Sequence, residues 1–77
     1  MTQTEWKEIF GGNLASILRD RNMTQTELAR EAGLSVSRIS DYIKGYATPT
    51  IFAIINMAYA LDIGISEFVD FEETIDY

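Results

Sequence analysis

The chain has 77 residues, twelve acidic and six basic side chains, no cysteine and no histidine, and its formal net charge is −6. These values exclude disulfide bonds, thiolate metal sites, a thiol nucleophile and the most common general base, so neither catalysis nor a bound metal or cofactor is expected. No apolar run is long enough for a membrane span or a secretory segment, and a cytoplasmic location is expected. The acidic balance, taken alone, argues against a nucleic-acid partner, because phosphates attract clustered Lys and Arg.

Apolar residues recur three and four positions apart along most of the chain, which predicts an all-α fold. The first helix is expected over residues 4–21, with a kink or a frayed start at Gly11 and Gly12, since each glycine costs a helix about 1 kcal/mol relative to alanine. Its apolar stripe consists of Trp6, Ile9, Phe10, Leu14, Ile17 and Leu18.

The strongest helix-start signal is Thr24 followed three residues later by Glu27, the spacing of a capping box. Gly33 is expected to end this second helix by adopting a left-handed backbone conformation, and Ser35 to cap the third. Two short helices joined by a three-residue turn containing glycine form a helix-turn-helix, here over about residues 24–44.

A loop follows the third helix, and Thr50 is expected to cap a fourth. The predicted inward side of the fourth helix consists of Ile51, Ile54, Ile55, Ala58 and Leu61. A fifth short helix is predicted to begin near Gly64 or Ile65. The sequence thus predicts one five-helix domain over residues 1–69 and an acidic tail over 70–77.

The third helix carries the candidate functional surface. Its apolar residues turn inward and leave a small, polar outer stripe, which consists of Val36, Ser37, Ser40, Asp41 and Lys44, flanked by Arg38. The major groove of B-form DNA is about 12 Å wide and admits a helix of this bulk. Two helix N-termini, near Gln25 and Val36, would offer free N–H groups to phosphates.

One gap-free series of residues is typical of a known family. It comprises Leu14 and Leu18, the segment 23–35 (MTQTELAREAGLS), Ile39, Ser40, Gly45, Pro49 and the segment 58–63 (AYALDI). From about Phe10 to Val69 the chain resembles the phage Cro and cI repressors, the XRE-like group of helix-turn-helix regulators. The resemblance implies a compact lambda-repressor-like domain that binds operator DNA and regulates transcription, usually by repression.

The same resemblance implies roles for single residues. The positions that reach base edges in the family are matched by Val36, Ser37 and Asp41, and those near the sugar-phosphate backbone by Gln25, Arg38, Ser40, Lys44 and Thr48. Tyr46 stands where the family usually has Lys or Arg, and it is expected to give a phosphate one neutral hydrogen bond. Val36 stands where a polar residue is more common. Fewer cationic contacts predict a shallow dependence of DNA affinity on salt.

A single reading helix contacts about half of a site, so a homodimer on a palindromic operator with half-sites about 34 Å apart is expected. The candidate dimer interface is Ile63, Ile65, Phe68, Val69 and Phe71. The alternative for these residues is that they only close the core.

Three regulatory roles stay open: a stand-alone Cro-like regulator, an antitoxin-type autoregulator and a restriction-control protein. The rival function is a protein-binding module of the same fold, whose acidic surface docks a protein partner. Charge is unevenly distributed, because residues 14–66 hold five basic and five acidic side chains whereas 67–77 hold five acidic ones and no basic one. The tail is therefore expected to lie away from the duplex or to limit non-specific binding.

Overall fold

The computed structural model describes residues 1–69, and within that range it contains four α-helices and one short 3-10 helix. Their bounds are Gln3–Asp20 for α1, Gln25–Ala32 for α2, Val36–Ile43 for α3, Ile51–Leu61 for α4 and Ile65–Val69 for the 3-10 helix. The all-α prediction is confirmed, and the fifth element is a 3-10 helix. The predicted tail, including the interface candidate Phe71, lies outside the described residues.

Side-chain hydroxyls cap the N-terminus of every α-helix in this range. Each of the four caps accepts a hydrogen bond from the backbone N–H three residues further on, and the caps are Thr2, Thr24, Ser35 and Thr50. At Thr24 the predicted capping box is present, because its backbone N–H donates to Glu27 Oε1 at 2.9 Å. Thr2 and Glu5 form a second capping box that the sequence reasoning did not predict.

Two glycines with positive φ separate the short helices. Gly33 has φ 70° and ends α2, and the following Leu34 N–H donates to Ala29 O at 2.9 Å. Gly45, with φ 73°, follows α3. L-residues with a side chain resist this conformation, so the chain reverses where glycine stands. The turn brings α2 and α3 into contact, as a helix-turn-helix requires.

The core is centred on Phe10 of α1. Its ring lies 5.1 Å from that of Phe68, 5.4 Å from that of Trp6 and 6.3 Å from that of Tyr42, measured between centroids. Asn13 Nδ2 also donates to Phe68 O at 2.7 Å. The 3-10 helix is therefore fastened to α1 by a buried aromatic ring and a hydrogen bond.

The predicted kink in α1 is wrong, since the helix is continuous from Gln3 to Asp20. Gly11 is buried, and a Cβ at this position would lie 2.5 Å from Tyr42 O and 2.6 Å from Ile43 O. Glycine at position 11 therefore allows the end of α3 to approach α1 closely.

The predicted inward side of α4 is partly wrong. Ile54, Ala58 and Leu61 are buried as expected, and Ala53 and Met57 complete the buried side. Ile51 and Ile55 are exposed instead. Because α4 is apolar around most of its circumference, spacing alone fits more than one inward stripe, and packing against α2 selects one of them.

No helix among residues 1–69 is long and apolar enough to cross a membrane. Over the same residues, no group of three or more acidic side chains is placed to hold a metal ion.

Candidate nucleic-acid interface

The outer side of α3 is the centre of the candidate interface. Ile39 and Tyr42 are buried beneath it. On the opposite side, the candidate residues Val36, Ser37, Arg38 and Lys44 are exposed and Ser40 and Asp41 are half-buried. Since the first two exposed side chains of α3, Val36 and Ser37, are short, a planar or grooved partner can approach the start of the helix closely.

The N-termini of α2 and α3 offer backbone donors. In each helix the cap satisfies the third N–H, Glu27 N in α2 and Arg38 N in α3, so the first two N–H groups remain for an external acceptor. Gln25 is exposed at the first position of α2. An anion bound at either end would meet N–H donors and the positive end of a helix dipole.

The first turn of α2 already carries a negative charge. The hydrogen bonds from the backbone and then from the side chain of Thr24 hold the pKa of Glu27 below its ordinary value of 4.5. Glu27 is therefore ionised at neutral pH. A phosphate contact at this terminus depends on free N–H groups and on the neutral amide of Gln25, and not on excess positive charge.

The loop after α3 brings Thr48 beside the outer side of the helix. A shallow cleft joins the two, and it is lined by Ser35, Ser37, Arg38, Asp41, Tyr42, Ala47 and Thr48. Thr48 Oγ1 accepts a hydrogen bond from Gln3 Nε2 at 3.1 Å, which leaves the hydroxyl hydrogen free to donate. Residues 45 positions apart in the sequence thus meet at the edge of the candidate interface.

The ring of Tyr46 lies near the ammonium group of Lys44. Lys44 Nζ lies 5.8 Å from the centroid of the Tyr46 ring, within the range of a cation–π interaction. Tyr46 itself is 74% exposed. The residue that replaces the family's usual cation therefore positions the neighbouring ammonium group and also presents its hydroxyl to solvent.

The candidate dimer residues differ in their exposure to solvent. Ile65 is exposed, whereas Ile63 and Val69 are half-buried against the core. Phe68 is wrong as an interface residue, because its side chain is fully buried and packs on Phe10. For Phe68 the alternative of closing the core is the correct one.

Two features of this surface were missed from the sequence. Gln3 contacts Thr48, and nothing in the local pattern links positions so far apart. The exposed side of α4, with Ile51, Phe52 and Tyr59, was also missed. The signal for it was present, because α4 contains no charged residue and a helix that is apolar all round normally needs to be covered on all sides.

A family model for helix-turn-helix proteins, HTH_3, matches residues 14–68. The chain therefore belongs to the HTH_3 family of helix-turn-helix transcription regulators, which bind DNA, and the resemblance to the XRE-like group is confirmed.

Similar proteins are regulators as well. An uncharacterised HTH-type transcriptional regulator of Sinorhizobium fredii, y4dJ, is 28% identical over 65 residues, which is 84% of each chain. The restriction-modification controller protein C.AhdI of Aeromonas hydrophila is 27% identical and superposes with a TM-score of 0.78 over 80% of this chain and 94% of that one. The clp gene regulator ClgR of Corynebacterium glutamicum has the same fold, with a TM-score of 0.78 over 83% of each chain and 22% identity.

Proposed function

We propose that this protein is a sequence-specific repressor that reads a palindromic operator as a homodimer, with α3 in the major groove. The observation that carries the proposal is the outer side of α3, where the short side chains of Val36 and Ser37 are exposed at the start of the helix. Val36, Ser37 and Asp41 are assigned to base edges. Gln25, Arg38, Ser40, Lys44, Tyr46 and Thr48 are assigned to the sugar-phosphate backbone.

The chemistry of the three base-edge residues differs. Val36 offers only apolar contact, which suits a thymine methyl group, and Ser37 can donate or accept a hydrogen bond. Asp41 can accept from cytosine N4 but repels phosphates, so it is assigned to selectivity and not to affinity. Its half-buried position limits the number of bases that its carboxylate can reach.

Of the three regulatory roles, restriction control is supported by the similarity to C.AhdI. The name of that protein states the role, and this chain covers 94% of its length. The rival proposal, a protein-binding module, is supported by the net charge of −6 and by the exposed apolar side of α4. The two functions predict different behaviour with duplex DNA.

Selection from a random duplex library, followed by titration of the selected duplex, tests the proposed function. We expect one enriched palindromic sequence with half-sites about 34 Å apart. At about 50 mM salt, even non-specific binding by a protein of this class is strong enough to detect. Undetectable binding of both selected and random duplexes at that salt concentration would contradict the proposal and favour the protein-binding module.

Two substitutions test the residue roles. Lys44→Ala is expected to weaken binding to all sequences alike, because a phosphate contact carries no sequence information. Asp41→Ala is expected to relax the preference at one base pair, at which discrimination falls by about 1–3 kcal/mol. Affinities for the selected duplex and for its single-base variants measure both effects. The opposite pattern, with Lys44→Ala changing selectivity and Asp41→Ala changing only affinity, would contradict the assignment.

A further inference from the structure

The outer side of α4 presents large apolar side chains to solvent. Ile51, Phe52, Ile55 and Tyr59 are exposed by 67%, 69%, 43% and 87% of their surfaces. Positions 52, 55 and 59 are three and four residues apart, so they form one stripe along the helix. The sequence of α4 contains no charged residue.

This stripe continues beyond the end of α4. Ile65, at the start of the 3-10 helix, is 41% exposed. A groove connects it to Ile55 and Tyr59, and the one charged residue that lines the groove is Asp62. We use the term α4 face for Ile51, Phe52, Ile55, Tyr59 and Ile65 together.

The size of the α4 face matches a protein partner. A fully exposed aromatic side chain has roughly 150–250 Å² of surface, so the five residues together expose on the order of 500 Å². A standard interface buries about 800 Å² on each partner, and the residues bordering the stripe can supply the remainder. The largest apolar patch of a soluble monomer is typically about 300–600 Å² and is often functional, and the α4 face falls in this range.

The net negative charge of the chain limits the surfaces on which a second copy can dock. The chain has twelve acidic and six basic side chains, so two copies repel each other over most orientations. The α4 face itself has no charged member, and the carboxylates beside it, Asp62 and Glu31, lie at its border, so two copies that meet there place fewer carboxylates opposite each other than in other orientations. A neutral apolar surface is also complementary to itself, as a two-fold symmetric interface requires.

The packing of the helices keeps the α4 face apart from the reading surface. α4 packs against α2 and the 3-10 helix, whereas α3 packs against α1 and α2. Joining two chains through α4 is therefore expected to leave Ser37 and Lys44 on α3 free, whereas Thr48, which lines a cavity with Ile51, lies near the edge of the α4 face.

We infer that a second copy of this chain docks on the α4 face, and that this contact is the interface of the homodimer. The inference deepens the proposed function, since it names the surface that would join two reading helices. Phe52 and Tyr59 are the main anchors, because they are the largest and most exposed members. The α4 face includes one interface candidate taken from the sequence, Ile65. It does not include Phe68, which is buried in the core.

Analytical ultracentrifugation of the full chain tests the inference, with Phe52→Glu and Tyr59→Glu as variants. We expect the wild type to be a dimer, and each variant to raise the dimer dissociation constant by at least about 30-fold, the loss expected of an interface anchor. Both side chains are exposed in the monomer, so circular dichroism should report an unchanged helix content. Gly12→Glu is the matched control, because it adds the same charge in α1 at a position with open space around it; it should stay dimeric.

A wild type that is monomeric at every concentration, or variants that dimerise as tightly as the wild type, would overturn the inference. If one variant fails to fold, the other decides. Titration of a half-site and of a full palindrome separates this inference from the proposed function. A dimer that binds no duplex contradicts the proposed function alone. A wild type that dimerises and binds the palindrome, with Phe52→Glu and Tyr59→Glu dimerising as tightly, contradicts the α4 interface alone.

Discussion

Gly11 and Gly12 are neighbours in the middle of α1 but have different surroundings. A Cβ on Gly11 would meet Tyr42 O at 2.5 Å, whereas a Cβ on Gly12 would meet nothing within 4 Å. The carbonyl groups that face Gly11 belong to the last turn of α3. The absence of a side chain at Gly11 therefore helps to set how close the candidate reading helix lies to α1.

Alanine substitutions at these two positions should have opposite effects on stability. Gly12→Ala should raise the free energy of unfolding by about 0.5–1 kcal/mol, because alanine loses less backbone entropy in a helix. Gly11→Ala should lower it by about 1–3 kcal/mol, because the added methyl group pushes α1 and α3 apart. Urea denaturation of each variant beside the wild type measures both values. A stabilising Gly11→Ala would show that the helices can separate at no cost.

At the scale of the secondary-structure elements, two capping boxes hold the starts of α1 and α2. Hydrogen bonds from Thr2 lower the pKa of Glu5, and those from Thr24 lower the pKa of Glu27, first through the backbone N–H and then through the side chain. A carboxyl group with a lowered pKa in the folded state stabilises the fold above its unfolded pKa, 4.5 for both groups. That contribution is lost as the pH falls through the lower folded-state pKa.

The free energy of unfolding should therefore fall as the pH drops below about 4.5, with the loss arising partly at the two helix starts. In the double variant Glu5→Gln and Glu27→Gln this part of the acid dependence should disappear, because glutamine does not titrate. Urea midpoints measured from pH 7 to pH 3 test this. Glu31→Gln, in the last turn of α2, is the control because it removes one carboxylate without changing a capping box. An unchanged profile in the double variant would contradict the role of the capping boxes.

At the scale of the whole molecule, the distribution of charge along the chain explains how an acidic protein can bind DNA. Residues 14–66, which contain α2 and α3, hold equal numbers of acidic and basic side chains. Two of the residues assigned to the sugar-phosphate backbone, Arg38 and Lys44, are cations. The interface is therefore expected to depend on neutral hydrogen bonds and helix N-termini as much as on ionic contacts.

The salt dependence of DNA binding should be correspondingly shallow. With two cations per subunit, a plot of log K against log salt for the dimer should have a slope of about −3.6, against about −10 for a repressor with many phosphate contacts. Tyr46→Lys adds one cation per subunit and should steepen the slope by about 1.8. Titrations of the selected duplex at several salt concentrations measure these slopes. A wild-type slope as steep as that of strongly basic repressors would require phosphate contacts from further cations, such as Arg19 and Arg21.

The sequence by itself determined the features that depend on neighbours within one helical turn. The caps at Thr24, Ser35 and Thr50, the reversal at Gly33 and the inward position of Ile39 in α3 were all predicted and are confirmed. These features follow from local hydrogen bonds, from the φ angles open to glycine and from a helix with one apolar side. The order of these signals was also enough to indicate the family.

Only the tertiary structure decided the features that depend on distant partners. Gly11 is a contact point between α1 and α3 because the end of α3 lies against it. Phe68 is a core residue because its ring packs on that of Phe10. The exposed side of α4 is the clearest case. Its sequence is apolar on nearly every side, so periodicity favours no single inward direction, and the packing of α4 against α2 left Phe52 and Tyr59 facing solvent.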